Sequence, residues 1–538
     1  MTSLFFKLEQ YSQRLFDCFR QSVDAVYDKV TGMFEFPINR LEFIVSTAIS
    51  YDSVEFSPLE QHPFTEEKLQ EYAYKGKPFK HQLSAIEYGL NHSGWLLLDE
   101  CGLGKTSTMI FYAEYLKQTR GISHCLIICG VNSLKFNWLA EIQKFSKYSC
   151  RILGDKVSKN GRHSFAKVTD RCKELAEGVK DFFTITNIET LQSSEFATAF
   201  KKSKVKYDLI VVDEIHHCKS PTTKSAKTLL KLSAPYRVGL TGTLIMNVPE
   251  NAYIPLKWTG NTKSTFSTFK SLYNVYGGFG GVQVIGHKNL DLLKELLKSC
   301  SLRRLKSEVI DLPPKNYIYD YVEMGTEQRK LYGQVEEGVL ADLSKLDHIP
   351  TIIEEITINM RLRQISAYPG ILSNDVLSSA KLDRLCELAE EIIGQGDKLA
   401  VFGSFKGAME EAFKRLSKYN PVICTGDISE TLVDERKAKF QNDPNVKVFI
   451  GTWQKCGTGH TLNAANYLVF IDTPWTDSDF QQCADRIHRI GQNKPSFIIT
   501  LLSKDTYDER VKEIVERKES LSGFLIDDKT PTKLNLFT

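Results

Sequence analysis

The sequence predicts an α/β protein built as two parallel-sheet lobes in tandem, and three observations carry that expectation. Five short apolar runs recur in the first half: WLLLDE (95–100), HCLIICG (124–130), FFTITN (182–187), YDLIVVDE (207–214) and YRVGLTGT (236–243). A second set of five follows: KLAVFGS (398–404), NPVICTG (420–426), VKVFIGT (446–452), NYLVFIDTPW (466–475) and SFIITLLS (496–503). Continuous apolar strands separated by helical patterns belong to parallel sheets covered on both faces. The third observation is length, since 538 residues exceed the roughly 250–300 at which a single core stops growing.

Taken in order, residues 1–67 form a separate small α+β module that opens with an amphipathic helix pattern and continues with the extended FEFPIN and SVEFSPLE. Residues 68–325 form the first lobe, with helical insertions at about 250–300, where NLDLLKELLKSC repeats leucine on one helical face. Residues 326–378 form a helical protrusion or linker, and LPPK at 312–315 punctuates the approach to it, because proline cannot continue a helix. The second lobe runs over 379–506, and a C-terminal helix and tail complete the chain over 507–538.

Composition excludes several classes. Hydrophobic content of 42% and charged content of 25% are ordinary for a globular domain. Lys plus Arg exceed Asp plus Glu by 69 − 66 = 3, so any surface for a polyanion has to be local. No apolar run approaches the ~18–20 residues that span a bilayer, and Lys7 and Glu9 interrupt what would be a signal's apolar stretch. An intracellular, soluble protein with no membrane partner is expected. The 12 cysteines include no Cys-x-x-Cys pair, which argues against a disulfide framework or a zinc cluster. Cys125 and Cys129 read as buried strand and turn residues rather than ligands.

The chemistry gathers at strand ends. WLLLD, then ECGLGKT, then the helical STMIFYAEYLK reads as strand, loop, helix, the context in which backbone N–H groups wrap phosphates at a helix N-terminus. Gly102 and Gly104 permit the tight loop, Lys105 reaches the outer phosphates and the Thr106 hydroxyl can ligate Mg²⁺. Asp99 stands where a phosphate-binding loop usually opens with glycine. Downstream, YDLIVVDEIHH places Asp213 to hold Mg²⁺ and Glu214 to act as general base directly after an apolar strand. An isolated Asp-Glu pair reads more simply as a solvated turn, and the upstream loop in the same predicted sheet reverses that preference.

DECGLGKT followed by DEIHH resembles motifs I and II of superfamily 2 helicases of the Snf2 (Swi2) branch, whose first motif opens with Asp-Glu. The resemblance continues over residues 75–520. KHQLSAI carries Gln82 where the family reads the adenine edge, SLKFNWLAEIQKF with Asn137, Trp138 and Glu141 is similar to motif Ia, and LTGTLIMN is similar to motif III. GTWQKCGTGHTLNAAN, which contains Gly459, resembles motif V, and QQCADRIHRIGQ resembles motif VI. SLRRLKSEVIDLPPK (301–315) is also similar to a Snf2 segment. Leu244 in place of proline, Ser220 in place of asparagine and DTPWTD depart from the pattern and weaken a link to the nucleosome-remodelling subgroups.

The resemblance implies two tandem RecA-like lobes, ATP and Mg²⁺ as cofactors, and Arg486 and Arg489 as arginine fingers that stabilise phosphoryl transfer. Their spacing puts both on one helix face, which an ordinary exposed basic helix would also do. It implies nucleotide contacts from Gln82, Gly102, Gly104, Lys105, Thr106, Gly459, Arg486 and Arg489, and DNA contacts from Ser133, Lys135, Asn187, Thr452 and Lys455. Such contacts to phosphate are sequence-independent and salt-sensitive. Upstream, Tyr27, Asp28, Thr31, Phe34, Phe36 and Val54 resemble the HARP module of annealing helicases. That likeness implies fork or junction DNA as partner and ATP-driven annealing, fork regression or branch migration. The expected state is a monomer, with a single-strand-binding or replication protein as a further candidate partner. Two alternatives stay open: a remodeller that displaces nucleosomes or polymerases, and an ATP-gated DNA clamp that has lost hydrolysis.

Overall fold

The structure is a computed structural model and describes residues 3–7, 26–28, 33–37, 55–56, 74–130, 134–157, 163–245, 248–277, 283–309, 312–344, 352–456, 461–474, 476–489 and 491–512. It divides into two compact units, chiefly between Leu305 and Lys306, with Cys101–Leu103 grouped with the second.

In the first unit seven strands, all parallel, lie in the spatial order Ser301–Leu302, Gly94–Leu97, Tyr236–Leu240, Tyr207–Asp213, His124–Cys129, Phe183–Asn187, Cys150–Ile152. Alternate side chains of each strand enter opposite clusters, which is why the runs are apolar throughout. Leu96, Leu126, Ile128, Ile210 and Val212 pack with helices Tyr253–Thr259, Phe266–Tyr273 and Leu290–Cys300 on one face. Trp95, Leu97, Ile127, Leu209 and Val211 pack with helices Lys80–Leu90, Lys105–Thr119 and Leu134–Phe145 on the other. A side chain is impossible at Gly94, where an added Cβ would meet the Thr259 carbonyl at 1.9 Å, so glycine lets this helix lie against the strand.

The second unit repeats the plan with six parallel strands in the order Lys315–Val322, Ser496–Ser503, Tyr467–Phe470, Leu399–Gly403, Val448–Thr452, Val422–Cys424. Val401, Ile450 and Val469 pack with helices Ala380–Gly394 and Lys406–Arg415. Phe402, Phe449 and Phe470 pack on the other side with Val433 and Phe440, and with Phe480 and Cys483. The two expected parallel-sheet lobes are therefore present.

Four expectations change. The first described residues, Ser3–Lys7, are a strand in which Leu4, Phe5 and Phe6 pair antiparallel with Phe36, Glu35 and Phe34, and any helix over 8–25 lies outside the described residues. A five-residue apolar run carries no periodicity long enough to distinguish the two. The region near 250–300 is not wholly helical: Asn274–Gly277 and Gln283–His287 form an antiparallel hairpin, and its helices belong to the lobe core rather than to an insertion. The second lobe begins earlier than 379, since Lys315–Val322 pairs along its whole length with Ser496–Ser503. The helix expected to carry both arginines of RIHRIGQ ends at Ala484. The C-terminal helix expected from 507 is helical over 507–512, and the rest of 507–538 lies outside the described residues.

Among the described residues no helix is long and apolar enough to cross a membrane, and every cysteine is a free thiol. Cys125 and Cys129 are buried, as their strand positions require.

Candidate nucleotide site

Strand Gly94–Leu97 delivers the chain to a loop whose conformation only glycine tolerates easily. Gly102 has φ +91° and Gly104 has φ +78°, and Gly104 caps helix Lys105–Thr119 in the left-handed region. A Cβ on Gly104 would also stand 2.9 Å from Gln82 Nε2. Gly104→Ala should therefore weaken nucleotide binding at least tenfold, read by titration with a fluorescent ATP analogue, since a left-handed L-residue alone costs about 1–2 kcal/mol.

Gln82 is buried and serves the loop. Its Nε2 donates to Ser107 Oγ at 3.0 Å and Gly104 O at 3.4 Å, while its Oε1 accepts from Phe79 N at 3.0 Å. The amide expected to read adenine is committed to the protein in this conformation. Lys105 donates from Nζ to Asp99 O at 2.8 Å, and Thr106 follows on the first turn of the helix.

Asp99 itself is fully buried. Its carboxylate accepts two bonds from Arg304, from Nε at 2.9 Å and Nη2 at 2.5 Å. A buried carboxylate without a cation would be costly, and this fork-to-fork pairing satisfies both oxygens. The same arginine also donates from Nη1 to His81 O and to Ser84 Oγ.

One strand, Tyr236–Leu240, lies between the phosphate-loop strand and Tyr207–Asp213, so the two acids stand one strand further from the loop than immediate neighbours would. Asp213 Oδ2 accepts from Trp138 Nε1 at 2.9 Å, and Oδ1 accepts from Glu214 N at 3.0 Å. Burial, then the Glu214 charge, pushes the Asp213 carboxyl above its ordinary range. That imbalance suits a cation ligand: a divalent ion would supply the charge that the site withholds, so the residues present fit Mg²⁺ held by Asp213 with Thr106.

Glu214 adopts φ +50°, the left-handed region, although it is not glycine. Its Oε2 accepts from Thr241 Oγ1 at 3.3 Å and lies 3.2 Å from His216 Nδ1, which in turn is 2.8 Å from Thr241 Oγ1. Burial opposes its ionisation, but the His216 hydrogen bond and charge, with Lys105, outweigh burial and hold the carboxyl below its usual range. The two adjacent carboxyls are thus pushed in opposite directions. A strained backbone of this kind costs about 1–3 kcal/mol and persists only where surrounding bonds fix it.

The second unit carries the arginines. After Ala484 the chain turns, and Arg486 and Arg489 lie on this turn, both partly exposed. Leu462 N donates to Arg486 O at 2.8 Å, and Arg489 Nη1 donates to Thr461 Oγ1 at 3.0 Å. Gln492 Nε2 fastens the turn through Ala465 O at 2.8 Å and Ile487 O at 3.0 Å. Asp485, buried beside them, meets Lys306 Nζ at 2.5 Å and Lys315 Nζ at 3.0 Å. Burial works against this carboxylate, yet Lys315 and Lys306 hold it below the ordinary range. Gly459 lies outside the described residues.

The expected DNA contacts divide. Ser133 lies outside the described residues. Lys135 is only 1% exposed, and its Nζ sits 3.9 Å from the centre of the Phe165 ring with no hydrogen-bond partner among the described residues. Burial, then the Arg171 charge, pulls this ammonium down to about 8. Asn187 is fully enclosed, bonding Glu189 Oε2 at 3.1 Å and accepting from Thr190 Oγ1 at 2.7 Å. Neither side chain presents an open surface. Thr452 ends strand Val448–Thr452 as a buried residue, and Lys455 is partly exposed on the short helix after it. Between them Trp453 donates to Ser404 Oγ at 2.7 Å.

Seven supporting residues, Trp138, His216, Thr241, Arg304, Lys306, Lys315 and Asp485, all fall inside the quoted motifs, and that position is the only sequence signal of their contacts.

Known proteins offer a comparison for this geometry. A family model described as the SNF2-related domain matches residues 18–371, and one described as the helicase conserved C-terminal domain matches residues 380–491. The uncharacterized ATP-dependent helicase MG018 of Mycoplasma genitalium is 27% identical over 440 residues, covering 80% of this chain and 40% of that protein. The ATP-dependent helicase FUN30 of Saccharomyces cerevisiae is 24% identical over 554 residues, covering 85% of this chain and 48% of that protein. The chain thus spans half or less of the length of these relatives. A solved structure titled Sulfolobus solfataricus SWI2/SNF2 ATPase core in complex with dsDNA is 25% identical, covers 86% of this chain and 95% of that one, and has a TM-score of 0.39. Since the SNF2-related model spans well over half of its residues and the helicase C-terminal model takes up where that one ends, the chain belongs to the SNF2-related family.

Proposed function

We propose that the protein is a DNA-dependent ATPase that moves along duplex DNA and acts on forks or other junctions. The observation that carries this reading is the geometry at Glu214: directly after Asp213 its backbone stands at φ +50°, and Thr241 Oγ1 at 3.3 Å and His216 Nδ1 at 3.2 Å fix its carboxylate. A site that only held ATP would gain nothing from keeping a glutamate strained and oriented there.

In the proposed reaction the loop N–H groups and Lys105 hold the β- and γ-phosphates. Glu214 accepts the proton of the attacking water, and His216 and Thr241 keep its carboxylate aimed. Bound Mg²⁺, held by Thr106 and Asp213, would neutralise charge on the phosphate oxygens. Arg486 and Arg489 supply positive charge to the γ-phosphoryl group in the transition state. DNA contacts are proposed at Lys455 and Thr452, with Ser133, through the phosphate backbone and without base readout. Coupling hydrolysis to DNA then turns each cycle into a step along the duplex.

The junction preference rests on the HARP-like residues of the N-terminal segment. Tyr27 and Asp28 lie in a strand that pairs with Met33–Pro37, which carries Phe34 and Phe36, and these two belong to a four-stranded antiparallel sheet. Deleting residues 1–65 should abolish any preference for forked over linear duplex DNA, measured as the ratio of DNA concentrations giving half-maximal ATP turnover. An unchanged ratio would reduce the segment to packing. Annealing and unwinding assays on the same forks separate rewinding from strand separation, and release of a DNA-bound roadblock protein without either would favour a remodeller.

A further inference from the structure

The segment SLRRLKSEVIDLPPK has no role in binding or chemistry so far, yet it supplies the cations of three largely buried ion pairs, Arg304 with Asp99 and Lys306 and Lys315 with Asp485. Ser301–Leu302 pairs with the phosphate-loop strand, and the register continues past the strand end, with Leu98 N donating to Leu302 O at 2.8 Å and Glu100 N to Arg304 O at 3.1 Å. Arg303 Nη1 donates to Leu98 O at 2.5 Å and Gly242 O at 3.1 Å. Arg304 then closes on both oxygens of Asp99, the residue that opens the loop.

Two positions on, the chain belongs to the other compact unit. There Lys306 Nζ meets Asp485 at 2.5 Å and donates to His488 O at 3.0 Å. Lys315 meets the same carboxylate at 3.0 Å and donates to Gln481 Oε1 at 3.1 Å, while His488 Nε2 lies 2.9 Å from Pro313 O. Asp485 and His488 each directly precede one of the two arginines, Arg486 and Arg489. Lys306 and Asp485 are both under 5% exposed.

We propose that the described residues of this segment are two separate anchors for groups of the ATPase site: Arg304 sets the phosphate loop through Asp99, and Lys306 with Lys315 sets the arginine turn through Asp485. The proposal rests on the ATPase reading above. Arg304, Lys306, Lys315 and Asp485 are positioning residues, acting through the loop and the arginines. Repulsion between the two neighbouring lysines is offset by the shared carboxylate, which makes Asp485 the residue on which that end depends.

The two ends predict different kinetic defects. Wild-type protein is first assayed for DNA-stimulated ATP turnover, and an inactive wild type would refute the ATPase reading itself. With an active wild type, Arg304→Gln should raise the dissociation constant of a fluorescent ATP analogue at least tenfold, with turnover at saturating ATP reduced less than threefold. Asp485→Asn should leave that constant within twofold and lower DNA-stimulated turnover at least tenfold. Arg304→Lys and Asp485→Glu, which keep the charges, should show the same split in milder form and carry the test if either stronger variant fails to fold. Equal loss of binding and turnover at both ends, or a lowered melting temperature with both parameters unchanged, would overturn this assignment of the two anchors.

Discussion

Replacing Glu214 by Gln should lower DNA-stimulated ATP turnover about 10²–10⁴-fold, the range supplied by a positioned general base, while ATP still binds. The amide keeps the shape of the carboxylate and can still bond Thr241 and His216, but it cannot take a proton from water. At about 1.4 kcal/mol per factor of ten, the loss corresponds to about 3–5 kcal/mol of transition-state stabilisation. The check is single-turnover hydrolysis alongside titration of a fluorescent ATP analogue. Binding and turnover lost together would mean that Glu214 holds the loop rather than serving the reaction. The neighbouring Asp213→Asn should behave differently, because its expected role is to hold Mg²⁺: its defect should ease as Mg²⁺ concentration is raised.

The second large effect is expected at the arginines. Arg489→Ala, and separately Arg486→Ala, should reduce turnover by up to about 10³–10⁵-fold, the range known for an arginine supplied to phosphoryl transfer. Lysine at either position should recover only part of this, since an ammonium cannot match the planar donor fork of a guanidinium. Both side chains are partly exposed, so neither change creates a core cavity and the melting temperature should hardly move. A fall in turnover that follows the fall in melting temperature would assign them to structure.

How much of this was readable beforehand follows from chain distance. The phosphate loop, its helix and the acids after YDLIVV were legible because each is contiguous, an apolar strand running straight into its polar turn. Asp99 looked anomalous in sequence because its partner Arg304 is 205 residues away; the pairing exists only once strand Ser301–Leu302 has been added to the sheet edge. That strand was itself hidden, being two residues long and followed by Arg-Arg. The spacing of the arginines suits a helix. The helix stops at Ala484 instead, where Asp485 is drawn into its two lysines, and the following turn takes its bonds from Leu462 and Gln492. Lys135 read as a surface cation because lysine usually is one. The Phe165 ring covers it, and no local pattern encodes that cover.

The energetics point the same way. Buried ion pairs contribute little net stability compared with apolar packing, and losing one partner is strongly destabilising. Asp99 with Arg304, and Asp485 with Lys306 and Lys315, are therefore more economically explained by geometry than by stability, since they fix where reacting groups stand.

The proposed stimulation of ATP hydrolysis by DNA is tested most directly by steady-state ATP turnover of the full chain, measured without nucleic acid and with forked DNA, linear duplex, single-stranded DNA and RNA at equal nucleotide concentration. The predicted result is turnover at least tenfold faster with duplex-containing DNA than without, greatest on the fork, and near the unstimulated level with RNA. Turnover that is absent throughout, or the same with and without DNA, would contradict it.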